Sequence, residues 1–339
     1  MRGNLASRSS RRDRDELLGI TDHAWLLRSE LLQKRFLPAR MTLGSLPRIP
    51  RSILVTFLVL ILIATPGFAD SADPFGIQGR VPRAVPQGGV FVVTLKPAAW
   101  IEGVRGTLDA QPLIFSPPEQ DLVQALIGID LEAAGRRRLR LEANDRHGRI
   151  HAREWSIQVK RRRFAVQRLT LPRHQVELDP ETLTRVSEEA ERLRELWKTV
   201  TPQRFWKGAF LSPVPAAMVP EGFGLRRIIN DQPRSPHSGA DYKAPLGSVV
   251  RAPNVGRVAL GEEQFFGGRA LVLDHGLGLY TVYFHLQGFL VKPGEMVQKG
   301  QEIGRVGATG RATGPHLHFG VRLNGARVDP SALLRLPLP

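Results

Sequence analysis

The order of apolar and polar positions divides the chain into four stretches. An unbroken apolar run, ILVTFLVLILIA, covers Ile53–Ala64. From about Asp73 to Val166 the pattern becomes short and alternating: VFVVTL (Val90–Leu95), LVQALIGIDL (Leu122–Leu131), RLRLEA (Arg138–Ala143) and IHAREWSIQV (Ile150–Val159). Gly, Pro and Asn-Asp turns separate these segments at roughly ten-residue spacing, which predicts a small antiparallel β-sandwich of immunoglobulin-like (Ig-like) type. The period then changes. Leu183, Val186, Ala190, Leu193 and Trp197 recur at steps of three and four, the mark of one apolar stripe on a helix. Asp179 suits its N-cap and Pro180 its first position, so a helix is expected over residues 180–200. Beyond about Gly208 the chain is Gly-rich and β-like, with almost no helical period. The expected architecture is mostly β. Residues 1–69 form an extension, 70–166 a sandwich, 167–207 a linker with its helix, and 208–335 a second β unit.

The run at 53–64 is too short for a comfortable membrane-spanning helix, which needs about 20 residues. Arg48 and Arg51 precede it, and Pro66-Gly67-Phe68-Ala69 follows, ending in small-x-small. Basic, apolar and small-residue regions in that order predict a secretory signal cleaved after Ala69, with an uncleaved inner-membrane anchor as the alternative. Export to the periplasm or cell envelope follows from either. Met41 would be a natural start for such a signal.

Composition narrows the chemistry. There is no cysteine, so disulfides, thiolate zinc sites, thiol nucleophiles and a lipid-modified cysteine are all excluded. The net charge is +16. Residues 1–52 carry 11 Arg/Lys against 5 Asp/Glu, which leaves +10 for the remainder. A basic chain suits an anionic partner, such as a wall polymer or a membrane surface. The densest clusters are Arg136–Arg138 and Lys160–Arg163. They read either as solvated sheet edges and a domain junction or as a binding patch. No aromatic interleaving accompanies them, so a nucleic-acid platform is not expected. The pattern names no oligomeric state.

Five of the nine histidines fall after Gly208. HSGADYKAP holds His237 and, four residues on, Asp241. YTVYFHL ends an apolar strand with His285. TGPHLHFG holds His316 and His318. Residues two apart on a strand point to one side, so His316 and His318 would face a common cleft while Leu317 and Phe319 face the core. Zinc takes nitrogen and oxygen ligands, and a catalytic site uses three from the protein and keeps a fourth position open. Two histidines and one aspartate would supply three, leaving two histidines for proton transfer. His275, in LVLDHG, reads as structural.

These stretches, with FGLR (Phe223–Arg226), VKPGEMVQKGQEIGRVG and VDPSALL, make residues 208–334 resemble the lysostaphin-type (LytM-like) zinc metallopeptidases of bacterial cell walls. That resemblance implies an antiparallel β domain with its site in a groove. It implies one zinc ion per chain on His237, Asp241 and His318, with His285 and His316 as catalytic histidines. It also implies peptidoglycan as substrate and endopeptidase chemistry. The rival within the same resemblance is a non-catalytic module that binds wall and activates a separate amidase. VKPGEMVQKGQEIG superficially resembles a biotinyl or lipoyl hairpin, but no lysine stands at a hairpin tip in the context such carriers need.

Overall fold

The computed structural model describes residues 73–170, 176–214 and 220–338. The apolar run at 53–64 and its flanks, with the leader and anchor readings attached to them, lie outside the described residues. Among the described residues no helix is long and apolar enough to cross a membrane.

Nine strands come first: β1 (Ile77–Gln78), β2 (Ala84–Pro86), β3 (Val90–Leu95), β4 (Ile101–Leu108), β5 (Gln111–Pro112), β6 (Val123–Gly128), β7 (Arg136–Asp145), β8 (Ile150–Lys160) and β9 (Val166–Leu169). The order β1-β3-β6 makes one sheet and β2-β8-β7-β4-β5 a second. Strict alternation on β3 sends Phe91, Val93 and Leu95 inward, where they meet Leu139, Leu141 and Ile157 of the other sheet in one apolar cluster. The antiparallel expectation fails at one edge, because β2 runs parallel to β8. Short alternating segments carry no information on direction, and a three-residue edge strand can pair either way.

The helix forms as α1 (Pro180–Lys198), two residues shorter than expected. Asp179 caps it through a 2.9 Å bond from the Thr182 amide. Val186 and Leu193 are its buried apolar positions, and Leu193 packs on Val272, Tyr280 and Val282. The stripe therefore docks on the C-terminal sheet, and Trp197 meets Tyr280 edge-on.

Eleven further strands follow: β10 (Arg226–Ile229), β11 (Gln232–Arg234), β12 (Gly239–Lys243), β13 (Val249–Arg251), β14 (Gly256–Gln264), β15 (Gly268–Asp274), β16 (Leu279–Phe289), β17 (Met296–Val297), β18 (Glu302–Val306), β19 (His316–Leu323) and β20 (Ala326–Val328). The main sheet runs β12-β19-β16-β15-β14-β17, with β13, β18 and β20 attached. Its pairings are all antiparallel. A short helix, α2 (Pro330–Leu334), closes it, and five residues are too few to show a period in the sequence.

Two features join the halves. The segment after the first sheets is not a bare connection: β9 pairs in parallel with β10, next to the β10–β11 hairpin. The second feature is a shared boundary. Leu126 of β6 lies in the same apolar cluster as Val321 and Val328 of the main sheet. Arg327 binds Asp130 at 2.7 Å and Glu132 at 2.9 Å, Arg162 binds Asp329 at 2.7 Å, and the Asp329 amide donates to Gly88 O. Arg162, within one of the two basic clusters, is thus a junction residue.

Candidate metal centre and groove

Pairing of β12 with β19 builds the centre. In that register Asp241 stands directly opposite His318, and Lys243 opposite His316. Alternation sends Leu317, Phe319, Ala240 and Tyr242 into the core, each at 2% exposure or less. The polar partners are thereby left on the other face, as the i, i+2 spacing requires. His237, just ahead of β12, turns in from the same side, held by a backbone bond from its amide to Leu225 O.

Three side-chain atoms converge. His237 Nε2 lies 2.8 Å from His318 Nδ1 and 3.1 Å from Asp241 Oδ1, and His318 Nδ1 lies 3.0 Å from that same oxygen. His237 Nδ1 donates to Gly222 O at 2.8 Å, so its Nε2 is left as a lone pair directed at the cluster. The Phe284 ring stacks on His318, centroids 5.4 Å apart and 12° from parallel. Gly239 gives His318 its room, since a Cβ there would stand 2.6 Å from the imidazole Nε2. Two imidazole nitrogens and a carboxylate oxygen around one point are a donor set that fits a divalent metal of zinc type.

Electrostatics agree. Burial pushes the Asp241 carboxyl up, but its contacts with His237 and His318 overcome this and hold it well below the usual carboxylate range. Burial pushes His318 down to about 4, against the opposing pull of Asp241. A neutral imidazole beside an ionised carboxylate is the protonation state that ligation needs.

His285 arrives by a different device. It follows Phe284 on one strand, and ordinary alternation would send it to the opposite face. Its φ of +64°, however, is left-handed, and the β15–β16 register shifts between Arg269 and Leu271. Phe284 and His285 consequently both line the groove. His285 Nδ1 donates to Thr309 O at 2.8 Å, and His316 Nδ1 to Gly314 O at 2.8 Å. Each ring thus has Nε2 left as its acceptor. The two rings lie 4.7 Å apart, and His316 Nε2 is 4.0 Å from Asp241 Oδ1. Burial first, then His318, pushes His285 down to about 3. All five residues singled out from the sequence meet in one groove of about 300 Å3. His275 is not among them: Val255 O and Thr281 Oγ1 occupy both its nitrogens.

The sequence did not indicate that several further residues line the groove. Val186, Glu189, Ala190 and Leu193 of α1 form one wall, with Gln167 and Leu169 of β9. Arg227, Arg234 and Arg311 also face it.

Residues 235–330 match Peptidase family M23. Peptidoglycan DD-endopeptidase ShyC of Vibrio cholerae is 41% identical over 130 residues, which are 38% of this chain and 30% of that protein. DD-carboxypeptidase/endopeptidase Mpg of Neisseria meningitidis is 38% identical over 134 residues, 39% of this chain and 31% of that protein. The chain thus spans about a third of these curated relatives. Among solved structures, a putative peptidase M23 from Pseudomonas aeruginosa superposes with a TM-score of 0.52 at 30% identity, over 74% of this chain and 94% of that one.

Proposed function

The chain belongs to peptidase family M23, and from that premise we propose that it is a zinc-dependent endopeptidase of bacterial peptidoglycan. One observation carries the reading. Three ligand-type atoms converge at one point, and two further histidines turn their free Nε2 atoms into the same groove.

His237, Asp241 and His318 would hold the metal. Zinc there would polarise the scissile carbonyl and bring the pKa of water towards neutral. The rest falls to the chain. Gly222 O and the Phe284 ring fix the ligand imidazoles, so the cluster is organised before substrate arrives. Thr309 O and Gly314 O set the tautomers of His285 and His316. Between them these two residues take the proton from the attacking water, support the developing oxyanion and return a proton to the leaving amine.

The likeness to proteins named DD-endopeptidases points to the peptide cross-link as the bond cut. We read residues 1–69 as an export leader or anchor. We read residues 70–166 as an Ig-like sandwich, 167–207 as a linker and 208–335 as the peptidase domain. The two basic clusters are read as contacts to an anionic wall or membrane surface. Digestion of purified wall sacculi by the full chain tests the enzymatic reading. Mass analysis should show cross-linked dimers converted to monomers with intact glycan, and a chelator should suppress this. Sacculi left intact at saturating zinc, or digestion indifferent to chelation, would refute it.

A further inference from the structure

Five arginines and two carboxylates line the groove. Two of the arginines are committed to the fold. Arg327 is paired with Asp130 and Glu132, and Arg322 donates to Gly325 O and lies over Trp197. Arg227, Arg234 and Arg311 are different: none has a salt-bridge partner among the described residues. Their arrangement is unfavourable in isolation. Arg227 and Arg234 are direct cross-strand partners on the β10–β11 hairpin, and like charges in that relation repel. Arg227 Nε is buried with no hydrogen-bond partner. The Arg311 guanidinium lies 4.1 Å from the centre of the Phe266 ring, which orients it but does not neutralise it.

The groove's own carboxylates do not resolve this. Glu189 accepts the Phe265 amide and pairs with Arg185. Asp241 is an anion whose charge Arg227 feels, but that charge serves the proposed metal centre. A divalent ion there would consume that charge and leave the cationic wall with less compensation than before. Burial, together with Arg227 and Arg234, pushes Arg311 down to about 10, still cationic at neutral pH. Arg234 donates to Pro233 O and Gln232 Oε1 within its own hairpin, but no carboxylate of the described residues pairs with any of the three, and such a cationic wall with forked donors matches the geometry of a carboxylate.

We propose that Arg227, Arg234 and Arg311 form an anion subsite that seats a free carboxylate of the peptide substrate beside the scissile amide. This rests on the peptidase reading of the groove and adds what selects the substrate. Two carboxylates could fill the subsite: the one that ends the peptide chain, or one on a dicarboxylic side chain next to the cut. In both cases the arginines position the substrate and leave the proton transfers to the histidines.

The probe is a set of cross-linked stem-peptide dimers. One has all carboxyls free, one has only the chain-terminal carboxyl amidated, and one has only the side-chain carboxyl amidated. Affinity is measured by calorimetry on the zinc-loaded His285→Ala full chain, so the readout does not depend on turnover. Kinetics on the wild-type chain run in parallel. The free-acid dimer should bind about 10–100-fold tighter than one of the amidated forms, as expected for charge-assisted hydrogen bonds. The amidated form that loses affinity identifies the carboxylate. Arg311→Gln and Arg234→Gln should each collapse this acid-to-amide ratio, acting on KM more than kcat, with zinc content retained. Equal affinity for the three dimers, or a preference that survives both substitutions, overturns the subsite. An acid preference in a chain that cuts none of the dimers would support the subsite and refute the hydrolase.

Discussion

Strand β16 serves two buried histidine sites of opposite character. Near its start, Thr281 Oγ1 meets His275 Nε2 at 2.8 Å, and Val255 O takes the other ring nitrogen at 2.7 Å. At its far end His285 has Nδ1 fixed by Thr309 O, while Nε2 has no hydrogen-bond partner among the described residues and lines the groove. Burial lowers both, His275 to about 4 and His285 to about 3. Neither burial nor basicity therefore separates the structural histidine from the chemical one. The separation lies in how many ring nitrogens the protein itself satisfies: two at His275, one at His285.

The largest effects should come from the groove end. His237→Ala, Asp241→Ala or His318→Ala should lose zinc and with it at least about 1,000-fold in activity, because three ligands are the minimum for such a site. His285→Ala should keep about one zinc per chain yet lose about 100- to 10,000-fold in turnover. Metal analysis beside the sacculus assay reads both. Full zinc in a ligand variant, or equal zinc loss in His285→Ala, would break the division of roles.

The opposite end should answer in stability. His275→Ala removes the bonds to the Val255 carbonyl and to the Thr281 hydroxyl, which keeps only Tyr283 OH, and leaves a void, at a cost of about 2–4 kcal/mol in denaturant unfolding near pH 7. Zinc content should not change. The pH dependence has a definite sign. The folded pKa of His275 lies below its ordinary 6.5, so the unfolded chain takes up the proton first. Its contribution is complete above about pH 6.5 and is lost as pH falls towards about 4, by up to ~1.4 kcal/mol per unit. The wild-type advantage over His275→Ala should shrink across that window. A constant advantage would mean that His275 is protonated in the fold.

The smallest effect belongs to the exposed charges. Arg162 is engaged with Asp329 and Arg137 with Asp109, so reversal to glutamate is best confined to Arg136, Arg138, Arg161 and Arg163. If these tether the enzyme to an anionic wall, the substitutions should weaken pelleting with sacculi a few-fold at low salt. The rate on a soluble peptide should hardly move. Pelleting indifferent to both charge reversal and salt would reduce the clusters to solvated edges.

The sequence shows most clearly what rests on local periodicity. β3 falls on Val90–Leu95 as the alternation indicates, and the faces of His316-Leu317-His318 follow from period two. What needs a partner strand is not legible. β9 is four residues with two polar side chains, and only its pairing with β10 shows that it helps wall the groove. The left-handed turn at His285 reverses the face that alternation assigns, so its place in the groove came from family likeness and not from its position on the strand. Arg227, Arg234 and Arg311 lie in a chain rich in arginine, and nothing local separates them from surface charge. The helix stripe was visible, but its docking beside the groove depends on Val272, Tyr280 and Val282, far away in sequence.

The pairing of β12 with β19 also sets when the site can come into being. β12 lies at the end of its sheet, and β19 is its neighbour there. It carries Asp241, and His237 stands just before it, yet the strand that positions both is made only some 77 residues after Asp241. As the chain is synthesised from its N-terminus, the first two donors exist long before the third. Until His316–Leu323 is added, β12 has no ladder to join and no metal cluster to complete. The three-donor set is thus completed by a single strand pairing. A growing chain holds the sheet strands up to β18 and still lacks the third donor. The three donors therefore come together in one event, when β19 takes its place between β12 and β16.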